Sequence, residues 1–187
     1  QAKVLTVFRR NILEFRTFCP ENTGGDPVLC NEERVMQFTL TVNGKHTRCE
    51  AAPEAPLLET LRGLGLYSVR SGCESANCGV CTVWLDEKPV LSCSVPTARA
   101  AGHRVTTVEG VQEEATALAD HLAAEGADQC GYCAPGLIMS VLAMKRELTS
   151  YDDASILHYL NGSLCRCSGY EAQLRGIRSY LEQESKT

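Results

Sequence analysis

The chain has 187 residues, a formal net charge of −5 and eleven cysteines, and 44% of its residues are hydrophobic. This length allows one domain or two small ones, and the acidic balance argues against nucleic acid or an anionic membrane as a partner. No run of about 18 apolar residues occurs, so the sequence predicts no membrane span. Eleven cysteines would suit either a secreted disulfide framework or thiolate metal sites in a reducing compartment. The odd count and the tight clustering favour metal, and we therefore expect a cytoplasmic protein.

Residues 1–35 differ from the rest of the chain and are predicted to be an N-terminal extension. Apolar positions in its first half could line one face of a helix, and the stretch after Pro20 has the composition of a loop. Arg9 and Arg10 faintly resemble a twin-arginine export signal, but no apolar segment follows them, so we reject that interpretation. The extension is either dispensable or an arm that docks on a partner chain.

Residues 36–110 have the pattern of a small α+β domain. Polar and apolar residues alternate up to Asn43-Gly44, a strong signal for a hairpin turn, and a short return strand follows. Further on, a helix is followed by cysteine-rich loop sequence and by more strands, so that the helix can cross an open sheet. The predicted elements are strands over 36–42 and 45–49, a helix over 56–62, a hairpin over 82–91 and a strand over 105–108.

After Gly110 the apolar period becomes helical, which predicts an all-α domain over residues 111–187. Pro135 can open one of its helices, and Asp152 or Ser150 can cap another. Four helices are expected, around 115–122, 138–145, 156–160 and 170–181.

Four cysteines in the α+β half have the spacing of a plant-type [2Fe–2S] site, and we call them the first cysteine group: Cys73, Cys78, Cys81 and Cys93. Three of them share one loop, where Gly79 permits a tight turn, and the fourth follows the predicted hairpin. Four thiolates would also suit tetrahedral zinc, but zinc sites usually use two separated pairs. The spacing therefore favours a [2Fe–2S] cluster.

The second cysteine group lies in the helical half and consists of Cys130, Cys133, Cys165 and Cys167. Its first pair stands just before Pro135, where the free N–H groups of a helix start favour a cluster rich in thiolates. Its second pair lies between two predicted helices. Spacing alone leaves this group open to iron–sulfur or to zinc.

The loop Ser71-Gly-Cys-Glu-Ser-Ala-Asn-Cys-Gly-Val-Cys-Thr82 resembles the cluster loop of the iron–sulfur subunits of the molybdenum hydroxylases. That family includes xanthine dehydrogenases, aldehyde oxidoreductases, nicotinate dehydrogenases and aerobic carbon monoxide dehydrogenases. Asn77 replaces the small or acidic residue often found before the second cysteine, which leaves the ligand positions intact.

Two segments of the helical half are similar to the family's second pair of motifs, usually written QCGFCTPG and LCRCTGY. They are Gln-Cys-Gly-Tyr-Cys-Ala-Pro-Gly136 and Leu-Cys-Arg-Cys-Ser-Gly-Tyr170. Tyr132, Ala134 and Ser168 are mild departures that leave every cysteine in place. The resemblance covers about residues 36–181.

The resemblance implies a plant-ferredoxin-like β-grasp domain followed by an all-α four-helix [2Fe–2S] domain. It implies two [2Fe–2S] clusters, one held by each cysteine group, with Gln129 and Cys167 near a molybdopterin on a large partner subunit. Electrons would pass from the molybdopterin through both clusters to FAD, expected on a medium subunit, and this chain itself would carry no catalytic residue. A free-standing two-cluster ferredoxin and a zinc-stapled interaction module are the alternatives.

Overall fold

The structure is a computed structural model that describes residues 35–184, and it combines one mixed β-sheet with α-helices, which confirms the α+β class. Of the predicted N-terminal extension, only Val35 falls within the described residues. The strands are β1 (Met36–Val42), β2 (Lys45–Ala51), β3 (Thr82–Leu85), β4 (Lys88–Leu91) and β5 (Arg104–Thr106). The helices are α1 (Leu57–Gly63), α2 (Thr97–Ala100), α3 (Gln112–Ala124), α4 (Ala134–Glu147), α5 (Asp153–Tyr159) and α6 (Glu171–Glu184).

The sheet has the strand order β2-β1-β5-β3-β4, in which β1 and β5 run parallel and the other neighbours antiparallel. Asn43 and Gly44 form the turn between β1 and β2, with φ angles of 49° and 77°. Asn and Gly accept this left-handed conformation more readily than other residues, so the Asn-Gly signal predicted the turn correctly.

Strand β5 is shorter than the sequence pattern predicted, because it ends at Thr106 rather than at Val108. The amide of Thr107 donates to Oδ1 of Asn43 at 2.9 Å, which replaces a sheet partner with a side chain. Residues Val108–Gly110 then form a 3₁₀ turn. The carboxylate of Glu109 accepts a hydrogen bond from the Ser68 hydroxyl at 2.6 Å, and this anchors the turn to the loop after α1.

The described residues form two hydrophobic cores. One lies between the sheet and α1, where Leu40, Leu57 and Leu61 are fully buried. The other lies among the long helices, where Leu118, Val141 and Ile177 are buried, and Trp84 joins it from β3. The indole Nε1 of Trp84 donates to the carbonyl of Met139 at 2.9 Å, which satisfies the polar atom of a ring that is only 4% exposed. Trp84 is thus a core residue whose one polar atom is hydrogen-bonded.

The start of α5 follows the sequence prediction, whereas the start of α6 does not. Oδ1 of Asp152 accepts from the amide of Ser155 at 3.0 Å, and hydrogen bonds from the hydroxyl and amide of Ser155 lower the pKa of Asp152 to about 2. Tyr170, the first residue of the helix predicted around 170–181, instead precedes α6 with φ 74° and is 41% exposed. Its hydroxyl accepts from the amide of Cys165 at 3.1 Å, so it supports the cysteine loop rather than the core. Between residues 35 and 184, no helix is long and apolar enough to cross a bilayer.

Candidate metal centres

The loop between α1 and β3 carries three members of the first cysteine group and is strongly curled. Glu74, Ala76 and Gly79 have φ angles of 54°, 58° and 72°. The left-handed conformation is costly for Glu and Ala, and such residues are found where the surrounding structure requires a particular shape. Here the curl turns backbone N–H groups towards sulfur, and the amide of Asn77 lies 3.4 Å from Sγ of Cys73.

The fourth member of the first group, Cys93, lies just after the β3–β4 hairpin, which places it beside the other three. Thr82 pairs with Leu91, so Cys81 and the 3₁₀ turn Ser92–Ser94 lie side by side at the end of the hairpin. The hydroxyl of Ser92 donates to the carbonyl of Cys81 at 2.7 Å and fixes this end. The side chains of Cys81 and Cys93 consequently contact each other.

The thiols of the first group differ in their acidity. Hydrogen bonds from the backbone amides of Ser75 and Asn77 lower the pKa of Cys73 to about 6. The pKa of Cys81 is raised to about 11. Burial is the larger cause, and the neighbouring thiol of Cys93 adds to it. The low pKa of Cys73 means that its loop is already arranged to hold a negatively charged sulfur.

The second cysteine group surrounds a cavity of about 210 Å³ that all four of its members line. Cys133 is the N-cap residue of α4, and its side chain contacts that of Cys165. Sγ of Cys167 lies 3.6 Å from Sγ of Cys130. Cys130 and Cys167 are exposed, whereas Cys165 is buried, so the cavity opens to solvent on the side of Cys130 and Cys167.

The sulfur of Cys165 accepts several hydrogen bonds. Burial opposes its ionisation, but hydrogen bonds from the hydroxyl and amide of Ser168, at 3.3 and 3.4 Å, outweigh burial and lower the pKa of Cys165 to about 7. The amide of Cys167 adds a further contact at 3.4 Å. Burial raises the pKa of Cys133 to about 11.

Two residues beside the second group have polar contacts with its cysteines. Gln129, singled out by the resemblance, donates through Nε2 to the carbonyl of Cys167 at 3.3 Å. Gln173, which the sequence analysis overlooked, is only 6% exposed and places Nε2 3.9 Å from Sγ of Cys133. The sequence does contain a pattern that indicates the burial of Gln173. This residue lies one helical turn before the buried Ile177, on the apolar face of α6.

The thiols come together as pairs, which fits a cluster of two irons. Among residues 35–184, no three metal-ligating side chains converge on a point that would hold a single ion. The contacting pairs are Cys73 with Cys78, Cys81 with Cys93, Cys130 with Cys167, and Cys133 with Cys165. A [2Fe–2S] cluster needs two thiolates on each of two irons, whereas structural zinc needs four around one centre.

Cys49 takes no part in either group. It is buried in the sheet core, with Sγ 3.8 Å from the carbonyl of Phe38, and burial raises its pKa. Cys49 is thus a small residue of the sheet core. Cys19 and Cys30 lie outside the described residues.

Two protein-family models match the chain: a 2Fe-2S iron-sulfur cluster binding domain over residues 40–106, and a [2Fe-2S] binding domain over residues 107–178. The chain is 38% identical over 145 residues to the xanthine dehydrogenase iron-sulfur-binding subunit of Escherichia coli O157:H7, covering 75% of this chain and 91% of the relative. It is also 37% identical over 151 residues to the nicotinate dehydrogenase small FeS subunit of Eubacterium barkeri, covering 79% and 96%. Among solved structures, quinoline 2-oxidoreductase from Pseudomonas putida 86 matches with a TM-score of 0.72 and 30% identity, over 81% of this chain and 97% of that chain.

Proposed function

The chain belongs to the family of iron–sulfur subunits of the molybdenum hydroxylases, and we propose that its two cysteine groups each hold one [2Fe–2S] cluster. Its function is electron transfer within an oxidoreductase complex. The observation that carries the assignment of the ligands is the pairing of the thiols, two by two, within each group.

A bound [2Fe–2S] cluster takes up and releases one electron at a time. The cysteine thiolates supply the ligation, and the backbone supplies hydrogen bonds to their sulfurs. In the first group the amide of Asn77 reaches Sγ of Cys73, and in the second the amide of Ser168 reaches Sγ of Cys165. These N–H groups stabilise the negative charge that accompanies reduction, and so they favour the reduced state.

We propose that residues 36–110 form one domain and residues 111–187 a second, and that each domain holds one cluster. The mixed sheet crossed by α1 supports a β-grasp for the first domain, and helices α3 to α6 support a four-helix arrangement for the second. The family models, which abut between residues 106 and 107, also support the division.

We propose that the second cysteine group faces a molybdopterin-binding large subunit. Cys130 and Cys167 are its exposed members, and Gln129 is held beside Cys167 by the hydrogen bond to its carbonyl. Gln129 and Cys167 would then be the residues nearest the pterin. Electrons would leave through the first group to FAD on a medium subunit. Because thiolate-ligated clusters suit a reducing compartment, we propose that the complex is cytoplasmic.

Metal analysis of the purified complex, together with electron paramagnetic resonance (EPR) after reduction, tests the ligand assignment. We expect about four irons and four acid-labile sulfides for each copy of this chain, with two distinct [2Fe–2S] signals. Zinc without labile sulfide would show instead that the cysteines staple an interaction module. A chain that purifies alone with both clusters, without molybdenum or flavin, would favour a free-standing ferredoxin.

A further inference from the structure

The side chain of Gln173 is a buried amide in largely apolar surroundings. It lies in the first turn of α6 and lines the same groove as Leu137, Leu174 and Ile177. Burying an amide costs free energy unless its polar atoms are hydrogen-bonded, so an apolar side chain would serve packing better at this position. Packing alone therefore does not account for an amide here.

The hydrogen-bond donor of this amide reaches a candidate ligand of the second cluster. Nε2 of Gln173 lies 3.9 Å from Sγ of Cys133, and the two residues are 40 positions apart in the sequence. The sulfur of Cys165 differs, because it accepts its hydrogen bonds from residues of its own loop. Helix α6 thus brings to Cys133 a side-chain donor from a distant part of the chain.

The surroundings of Cys133 make this donor effective. Gln173 lines the cavity of about 210 Å³ that the second cysteine group surrounds. It also lines a gap beside Cys133 and Cys165 that has no volume to admit a water molecule. Water is therefore excluded from that side of Cys133, and a hydrogen bond to a charged sulfur is stronger in such a medium of low dielectric constant than in water.

We propose that Gln173 raises the reduction potential of the second cluster by donating its side-chain N–H to the thiolate of Cys133. The proposal rests on the proposed function of the cysteine groups. On reduction the cluster gains one electron from its donor in the complex, which is oxidised, and no proton moves. The added negative charge is shared with the thiolates, so an N–H donor stabilises the reduced state more than the oxidised state. Gln173 is thus a positioning residue that acts through Cys133 and makes the second cluster a better electron acceptor.

The substitution Gln173→Met tests the proposal in the purified complex, by a redox titration that is followed by EPR. Methionine is similar in length to glutamine and adapts to apolar surroundings, but it has no N–H donor. The matched control is Gln183→Met, the same replacement on the same helix about 15 Å further along its axis. Gln183 is exposed there and accepts a hydrogen bond from His121 through Oε1 at 2.8 Å. The signal that Cys133→Ser abolishes identifies the second cluster, and the first cluster is an internal reference in every sample.

We expect Gln173→Met to keep both EPR signals and to lower the potential of the second cluster only. The ratio of reduced to oxidised second cluster at a fixed solution potential should fall about threefold, which converts to about 28 mV for one electron. The potentials of the first cluster and of both clusters in Gln183→Met should not change. Gln173→Asn covers a failure of the methionine variant to assemble. It keeps an amide but is one methylene shorter, so its N–H falls short of Cys133 and the potential should fall in the same direction.

An unchanged potential of the second cluster, in a Gln173 variant that keeps both signals, would overturn the proposal. Loss of the second cluster from both variants would also overturn it, because Gln173 would then serve to hold the cluster rather than to set its potential. Absence of [2Fe–2S] signals from the unsubstituted protein would instead overturn the proposed function.

Discussion

The hydroxyl of Tyr132 donates a hydrogen bond of 2.5 Å to the carbonyl oxygen of Ser71, and this bond links the loops of the two cysteine groups. Tyr132 lies between Cys130 and Cys133, and Ser71 lies two residues before Cys73. The guanidinium of Arg70 lies 5.4 Å from the centre of the Tyr132 ring and adds a cation–π contact at the same place. Phenylalanine, which stands here in the motif that this segment resembles, would lack the hydroxyl and therefore this link.

The substitution Tyr132→Phe should leave the fold and both clusters intact, because it keeps the ring and restores the residue usual in the motif. It removes one hydrogen bond between the loops, which we expect to cost about 1 kcal/mol. Loss of the clusters to an iron chelator, followed by visible absorbance, should become faster. The control is Tyr151→Phe, which removes a hydrogen bond of 2.9 Å to the carbonyl of Lys145, remote in sequence from both groups. Equal rates of loss in the two variants would show that Tyr132 does not protect the clusters.

Each cysteine group should lose its own cluster when one member is replaced. Cys73→Ser is expected to abolish one EPR signal and Cys133→Ser the other, each with a loss of about two irons. Cys49→Ser is the control, since Cys49 lies in the sheet core beside the carbonyl of Phe38. Serine there can donate to the same carbonyl, so both signals should remain. Loss of one and the same signal in Cys73→Ser and Cys133→Ser would contradict the division into two groups.

Thiols of the metal-free protein should differ in their reaction with iodoacetamide. The thiolate is the reactive form. With a pKa of about 6, Cys73 is mostly thiolate at pH 7, whereas Cys81, with a pKa of about 11, remains protonated. Mass spectrometry of peptides should therefore find faster alkylation at Cys73, and its rate should fall as the pH drops through about 6. Equal labelling of both residues at pH 7 would show that the loop adopts its curled form only with iron.

The features that the sequence predicted well are local ones. The turn at Asn43-Gly44 and the cap at Asp152 depend on the conformations of a few adjacent residues, which composition reveals. Tyr170 was misplaced because an aromatic residue just before a helix fits the helical period, although its backbone is left-handed. Hydrophobic periodicity gives no information on the conformation of the residue that precedes a helix.

The features that the sequence did not predict are long-range contacts of the backbone. The backbones of Gly79 and Gly136 contact each other although the two residues are 57 positions apart in the sequence. Glycine has no side chain, so no hydrophobic or polar pattern indicates which residue it will contact. The same is true of the hydrogen bond from Leu164 to Cys78, which involves main-chain atoms only. Spacing identified the candidate ligands, but the arrangement of the two groups relative to each other required the fold.

Arg146 at the end of α4 should prove more important for stability than an ordinary surface arginine. Its guanidinium lies 3.7 Å from the centre of the Trp84 ring, and it donates to the carboxylate and the carbonyl of Glu87 at 2.8 and 3.0 Å. It thus joins α4 to the β3–β4 hairpin that delivers Cys93. A planar guanidinium can stack on the ring and reach both oxygens, which the ammonium of lysine cannot do.

We therefore expect Arg146→Lys to destabilise the protein by about 1 kcal/mol, measured as a lower denaturant midpoint by far-ultraviolet circular dichroism. The chain has one tryptophan, so its emission should shift to the red as the Trp84 ring gains access to water. The matched control is Arg175→Lys, because Arg175 is paired with Glu125 at 2.8 Å and its side chain is 56% exposed. That change should alter stability by less than about 0.5 kcal/mol. Equal midpoints for the two variants, with unshifted emission, would mean that stacking on Trp84 adds nothing beyond a surface ion pair.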